Sequence, residues 1–349
     1  MPNRRQFIKN LSLFSTGTVC LSMAALTSAA ALSGCTTIDE YLITNPSDLS
    51  DHVIIVGGGI TGLYAAYQLK KRKIPFRLFE ASNRLGGQIL SDNVYEFGAF
   101  EFLNTDKNFL ALVKDLNLKT EKTDSKSWIF KNGTADFITL LSDRISGVLP
   151  NQQIKLNHRL IYMGQNPKDF KLTFATEKSD KTYTAKNVLL ALPAKNLFNV
   201  NGLESEIDDQ KIKLIQKKQI RIIFSQQKML SKFGIVKNKF FVKSGVNCTV
   251  KVIKGLIYVT LSGDEKLAHF PNEIEMIHIW LAENVFDVPA GSFSTDPEYV
   301  YIWTTSATPE ILNSAQRPRR HLISEGCTVP IARIENLLLA VNQQIDQFL

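Results

Sequence analysis

The 349-residue chain has few of the residues that build metal or disulfide sites. Its five His (His52, His158, His269, His278 and His321) never stand at ligand spacing from one another or from a Cys, so no metal is expected. Only four Cys occur, and after Cys35 only Cys248 and Cys327 remain. Whether those two pair or stay as two buried thiols is open. There is no basic stripe interleaved with aromatics. Lys and Arg number 41 against 33 acids, for a formal charge of +8. Residues 1–34 hold Arg4, Arg5 and Lys9 and no acid, so the remainder carries 38 bases to 33 acids, or +5, scattered along its length. That balance argues against a nucleic-acid partner. Internal repeats and low-complexity tracts are missing too, which excludes solenoids and linkers of biased composition. A comfortable membrane span is also lacking, because Ser15, Thr16, Gly17 and Thr18 interrupt the one apolar stretch near the start.

What is present is a 44% hydrophobic composition, ample for a large core and two domains. The chain starts with "NRRQFIK", then a mildly apolar stretch and small residues up to Gly34, the pattern of a signal peptide. Arg4-Arg5 with Phe7 and Lys9 resembles the twin-arginine export signal, although Asn3 and Ile8 depart from it. "LSGC", ending at Cys35, resembles the lipobox of bacterial lipoproteins, which implies lipidation of Cys35 and a membrane anchor. Polar residues 36–50 read as a tether. The expectation is an exported, periplasm-facing lipoprotein, with Thr36 after the Cys compatible with an outer membrane.

Residues 51–81, "DHVIIVGGGITGLYAAYQLKKRKIPFRLFEA", hold the clearest signal. "HVIIV" predicts a buried parallel strand. Gly57, Gly59 and Gly62 then spell G-x-G-x-x-G at the head of a helix that opens with Ile60 and Thr61. In that motif the first glycine makes the turn, the second lets backbone approach a pyrophosphate, and the third lets helix pack on strand. Free N–H groups at the helix start favour the phosphates. "PFRLFEA" gives a second strand ending at Glu80, where a carboxylate can accept from ribose hydroxyls. A dinucleotide site follows.

The next residues, "EASNRLGGQI", resemble the E-x-x-x-R-x-G-G-R segment of the flavin amine oxidase superfamily, whose relatives include phytoene desaturases and protoporphyrinogen oxidase. That resemblance implies non-covalent FAD, with Glu80, Ala81, Arg84, Gly86 and Gly87 around the cofactor and Gln88 in place of a second Arg. "NVYEFGAFEF" resembles the strand beside the flavin, placing Gly98 and Ala99 there. "IKLNHRLIYM" resembles the strand that holds adenine through the backbone, here at Leu160, and "KTYTAKNVLLALPA" resembles a further strand of the FAD domain. Near the end, Glu325 matches the family's ribityl-binding Glu. Ile334 matches the start of a last helix whose N–H groups face the flavin, and Asn336 and Leu337 stand where the family has small residues.

The substrate half is less explicit. Helices are expected over "DKNFLALVKDLNL", "ADFITLLSDRI" and "NEIEMIHIWLAENVF", and strands over "QIRIIFSQQ", "KFFVKSG" and "CTVKVIKGLIYVTLSG". In amine oxidases a Lys near the start of this sheet reaches the flavin through water. Arg221 is the nearest position here, the alternative being a surface Arg. Trp303 stands where the family often has a flavin-facing Trp, the alternative being a core Trp. The expected organisation is a signal peptide (1–34), a lipidated Cys and tether (35–50), and a discontinuous Rossmann-like α/β FAD domain (51–100, 140–195 and 301–349). The last part is a reduced antiparallel substrate domain with helices (101–139 and 196–300). The expected function is FAD-dependent oxidation of an amine or related C–N or C–C substrate by hydride transfer, with oxygen or another acceptor. A desaturase- or isomerase-like enzyme on an apolar substrate and a catalytically silent FAD-fold lipoprotein are the alternatives.

Overall fold

The computed structural model describes residues 48–92, 94–147, 153–165, 168–197, 199–203, 216–234, 236–243, 245–263, 279–289, 297–306, 320–322 and 334–346. The expected signal segment, Cys35, Glu325 and Cys327 lie outside them.

The chain enters through β1 (Val53–Val56), α1 (Ile60–Lys71) and β2 (Phe76–Phe79). All four side chains of β1 are buried, and their alternation divides two cores. Val53 and Ile55 face a helical layer, whereas Ile54 and Val56 face an antiparallel one. After β3 (Phe102–Leu103), the helical layer gains α2 (Lys107–Asp115). A short antiparallel unit is completed by β4 (Thr120–Lys122) and β5 (Ser127–Phe130), and α3 (Thr134–Ser146) follows. Phe102, Phe109, Phe130 and Phe137 interlock there at ring separations of 5.0 to 6.0 Å. Burying each such ring contributes about 2–3 kcal/mol.

The stretch expected as one strand, "IKLNHRLIYM", divides in two. Asn157 takes φ +56, turning the chain between β6 (Ile154–Lys155) and β7 (Arg159–Gln165). β6 pairs parallel with β2, whereas β7 joins β8 (Phe170–Ala175) and β9 (Lys181–Ala185) in a meander. β10 (Asn187–Leu190) then returns beside β1 in parallel register, Val53 opposite Asn187, and α4 (Ala194–Leu197) follows.

Next comes a second sheet: β11 (Gln216–Ser225), with α5 (Gln226–Phe233) after it, then β12 (Lys239–Lys243), β13 (Val246–Ile253), β14 (Leu256–Gly263) and β15 (Tyr299–Ser306). Its order is β12-β13-β14-β11-β15, all antiparallel. One face packs Ile220, Ile222 and Phe224 with Cys248, Val250 and Val259 beneath a π-helical turn, Ala282–Phe286. The helix expected over "NEIEMIHIWLAENVF" is described only from Ile279, and Asp287 at φ +56 ends it. Cys248 is a free, fully buried thiol, pushed up to about 12 by burial. The opposite face brings Ile223 and Tyr258 against Phe100 and Ile129.

β16 (Arg320–Leu322) completes the first sheet, whose order is β16-β10-β1-β2-β6, all parallel. α6 (Ile334–Ile345) packs into the helical layer through Leu337, Leu338, Val341 and Ile345. A parallel sheet therefore lies between helices α1, α3 and α6 and the β7–β9 meander.

Candidate dinucleotide site

A cleft of about 390 Å³ opens at the carboxyl ends of β1 and β2. This is the position where open parallel sheets bind ligands. β1 runs into Gly57, at φ +110, which donates its N–H to Phe79 at 2.8 Å. α1 then begins at Ile60 with no side-chain cap and no acid in its first turn. Its first N–H groups thus lack a local competitor for an anion.

A second segment lies backbone to backbone against this turn. Gly86 N–H donates to the Gly58 carbonyl at 2.8 Å, and Gly59 and Gly86 form an isolated parallel bridge. The two glycine-bearing segments make one cradle. Glu80 closes its side: Oε2 accepts the Gly58 N–H at 2.6 Å, and Oε1 accepts the Ser82 N–H at 2.9 Å and hydroxyl at 2.7 Å. Arg84 is exposed at the rim, bonded through its guanidinium to the carbonyls of Leu85 at 3.2 Å and Gly87 at 2.8 Å.

Gly57, Gly59, Ile60 and Thr61 line the cleft from the first turn. Glu80, Ala81, Arg84, Gly87 and Gln88 line it from the second segment, and Ala99, Leu160 and Ile334 from further along the chain. Gly62, Gly86 and Gly98 are buried behind the wall and shape it. Glu325 lies outside the described residues. Leu337 is on the wall, while Asn336, the other position where the family has a small residue, is not. Glu335 instead bonds to α2, accepting from Asn108 and Phe109. Arg221 is buried in β11, so the surface alternative does not hold, and it does not line the cleft. For Trp303 only the backbone is described, paired with Gln219 on the edge strand β15.

Several wall residues carry no motif signal: Ser82, His158, Arg159, Asn196 and Asn199. Only Ser82 was within reach of sequence reasoning, since a hydroxyl two residues after an acid commonly closes a local turn. Glu96, beside Phe97, accepts from the Thr134 N–H at 2.9 Å and hydroxyl at 2.5 Å, and burial raises its carboxyl above the usual range.

The cradle fits a dinucleotide. A Cβ on Gly59 would meet no protein atom closer than Gly87 Cα at 3.8 Å, so the space it leaves faces the cleft rather than the core. The NAD(P)-binding Rossmann-like domain model matches residues 55–116. Coproporphyrinogen III oxidase of Bacillus subtilis is 38% identical over 101 residues, 25% of this chain and 22% of that protein. The aligned stretch thus spans about a fifth of that relative's length. A putrescine oxidase variant superposes with a TM-score of 0.65 at 12% identity, over 86% of this chain and 99% of that one. The fold is shared with that oxidase. Cyclohexylamine oxidase from Brevibacterium oxydans shares it as well, with a TM-score of 0.60 at 12% identity over 85% of this chain and 98% of that one. These likenesses bear out the Rossmann-like α/β fold, and they are in keeping with the expected FAD and oxidoreductase class.

Proposed function

We propose that the protein is an FAD-dependent oxidoreductase of amine-oxidase type, which oxidises a C–N or C–C single bond of a small molecule to a double bond, hydride leaving a C–H of that bond for the flavin and a proton leaving the neighbouring atom. Oxygen or another acceptor then takes the electrons. The observation that carries this reading is the paired-backbone cradle at the start of α1, with Glu80 closing one side. Bound flavin supplies the hydride acceptor. The chain's part is to bind, orient and keep water out. The α1 N–H groups and Arg84 offset pyrophosphate charge, and the acceptor position left on Glu80 Oε2 suits a ribose hydroxyl.

Oxidation of a larger macrocyclic substrate, a porphyrinogen, is the second reading. It is favoured by the coproporphyrinogen oxidase relative. Also in its favour are the rings beside the extended segment carrying Ala99, where Tyr95 and Phe97 pack on Tyr299 at 4.7 and 5.0 Å. We also infer export by the twin-arginine route, with Cys35 lipidated and the folded domain held at a membrane facing the periplasm. The arginine pair, the lipobox and the tether support this. Among the described residues, no helix is long and apolar enough to cross a membrane.

Purified protein should be yellow and release FAD on denaturation. Peroxide formation with a panel of amines supports the first reading, and turnover of coproporphyrinogen alone supports the second. A protein that binds FAD and oxidises neither class would favour the silent alternative, and a colourless protein that takes up no FAD would sink the cofactor assignment.

A further inference from the structure

Arg221 lies in the middle of β11, only 9% exposed. A guanidinium is tolerated there only if its donors are satisfied. Nε donates to Thr260 Oγ1 on the adjacent β14 at 3.2 Å. Nη1 donates to the carbonyls of Phe97, at 3.2 Å, and Gly98. The group also lies over the Phe100 ring, 4.9 Å from its centroid. Burial lowers its pKa to about 10, with Glu101, Tyr258 and Glu96 opposing, so it stays charged at neutral pH.

The two carbonyls belong to consecutive peptide units, and the N–H ends of those same units serve the cofactor loop. Gly98 N–H donates to the Leu90 carbonyl at 3.0 Å, and Ala99 N–H donates to the Gln88 carbonyl at 3.1 Å. Two short relays therefore run side by side from one guanidinium, each through one peptide, into residues 88–90. A cation at the carbonyl end polarises a peptide and strengthens the bond made by its N–H. Gly98 makes the approach possible, since a Cβ there would lie 1.7 Å from the Gln88 carbonyl oxygen. At the far end of the relays, Gln88, Ile89 and Ala99 are all part of the cleft wall.

We propose that Arg221 is a positioning residue: through the Phe97–Gly98 and Gly98–Ala99 peptides it holds residues 88–90 and Ala99 in place. The second sheet thereby sets the geometry of the cofactor wall. The proposal rests on the FAD reading only for the identity of the ligand that this wall meets. It also gives Arg221 a different task from the water-mediated flavin contact of the family's Lys, because the contacts of Nε and Nη1 are with Thr260 and the two carbonyls.

The test compares the full chain with Arg221→Met, which keeps the apolar stem and loses every donor, and Arg221→Lys, which keeps the charge. Hydrogen exchange is followed without cofactor, and FAD is then titrated. In the Met variant, peptides covering 86–91 and 96–100 should exchange about tenfold faster, the scale of one lost charge-assisted bond, while β13 and β14 stay unchanged. FAD affinity should fall by a similar factor. The Lys variant should lie between Met and wild type, and it decides the matter alone if the Met variant does not fold. Unaltered exchange in both segments would overturn the proposal. Acceleration spread evenly over β11 to β14 would do the same, marking Arg221 as a general prop. If the wild type takes up no FAD but the local acceleration appears, the coupling stands and the cofactor assignment falls.

Discussion

Gly59 and Gly62 lie three residues apart and answer to different constraints. At Gly62 a Cβ would sit 1.9 Å from the Gly57 carbonyl oxygen, so even alanine must push backbone away from the strand end. At Gly59 the backbone has φ −72 and ψ 179, which any residue adopts, and the nearest protein atom to a Cβ is 3.8 Å away. Gly62→Ala should therefore destabilise the protein with or without cofactor, by about 1–3 kcal/mol, as overpacking does. Gly59→Ala should leave the cofactor-free melting temperature unchanged and weaken FAD binding by about tenfold or more, because a methyl group would occupy the pyrophosphate approach. Thermal melts with and without FAD separate the two. A Gly59→Ala protein that binds FAD normally would mean that the phosphates lie elsewhere.

Helix ends show how distant parts of the chain are joined. α2 starts after Asp106, whose side chain accepts the Leu103 N–H at 2.7 Å instead of capping its own helix. The open N–H groups of α2 are met from the other end of the sequence by Glu335, in the first turn of α6. Its carboxylate accepts the N–H groups of Asn108 and Phe109, each at 3.0 Å, and the Asn108 side-chain amide at 2.8 Å. One carboxylate thereby serves two helix starts, where negative charge is favourable. Glu335→Ala should cost about 1–2 kcal/mol, the usual loss on removing a cap, with Glu335→Gln recovering part of it. Chemical denaturation of the two variants measures this, and an unchanged midpoint for Glu335→Ala would remove Glu335 from the account of stability.

For the whole molecule, the parallel sheet with helices on one side and a meander on the other places the cleft, and Arg221 of the second sheet bonds to the Phe97–Gly98 segment beside its wall. The proposed export signal adds a prediction independent of catalysis. Arg4→Lys with Arg5→Lys should leave the protein in the cytoplasm. Cys35→Ala should still be exported but should lose incorporation of labelled fatty acid and membrane association. Fractionation of cells expressing each variant reads both. Export of the Arg4/Arg5 double variant at wild-type levels would rule out the twin-arginine route, and labelled lipid on Cys35→Ala would move the anchor elsewhere.

The parallel strand, the glycine turn, the helix behind it and the acid ending β2 were legible in residues 51–81 because each depends on local chemistry. A run of β-branched residues, a left-handed turn and a capless helix start declare themselves within a few positions. The antiparallel character of the second sheet was expected from the resemblance to the amine oxidase superfamily, not from a local pattern of residues. Tertiary structure alone decided where strands change partners. "IKLNHRLIYM" resembles one strand, yet it serves two sheets because Asn157 turns between them. It likewise decided that Arg221 bonds to backbone carbonyls and that Glu335 caps a helix more than two hundred residues earlier in the chain. Those roles are set by which groups burial leaves without water, and that is a property of the packed chain, not of any local stretch.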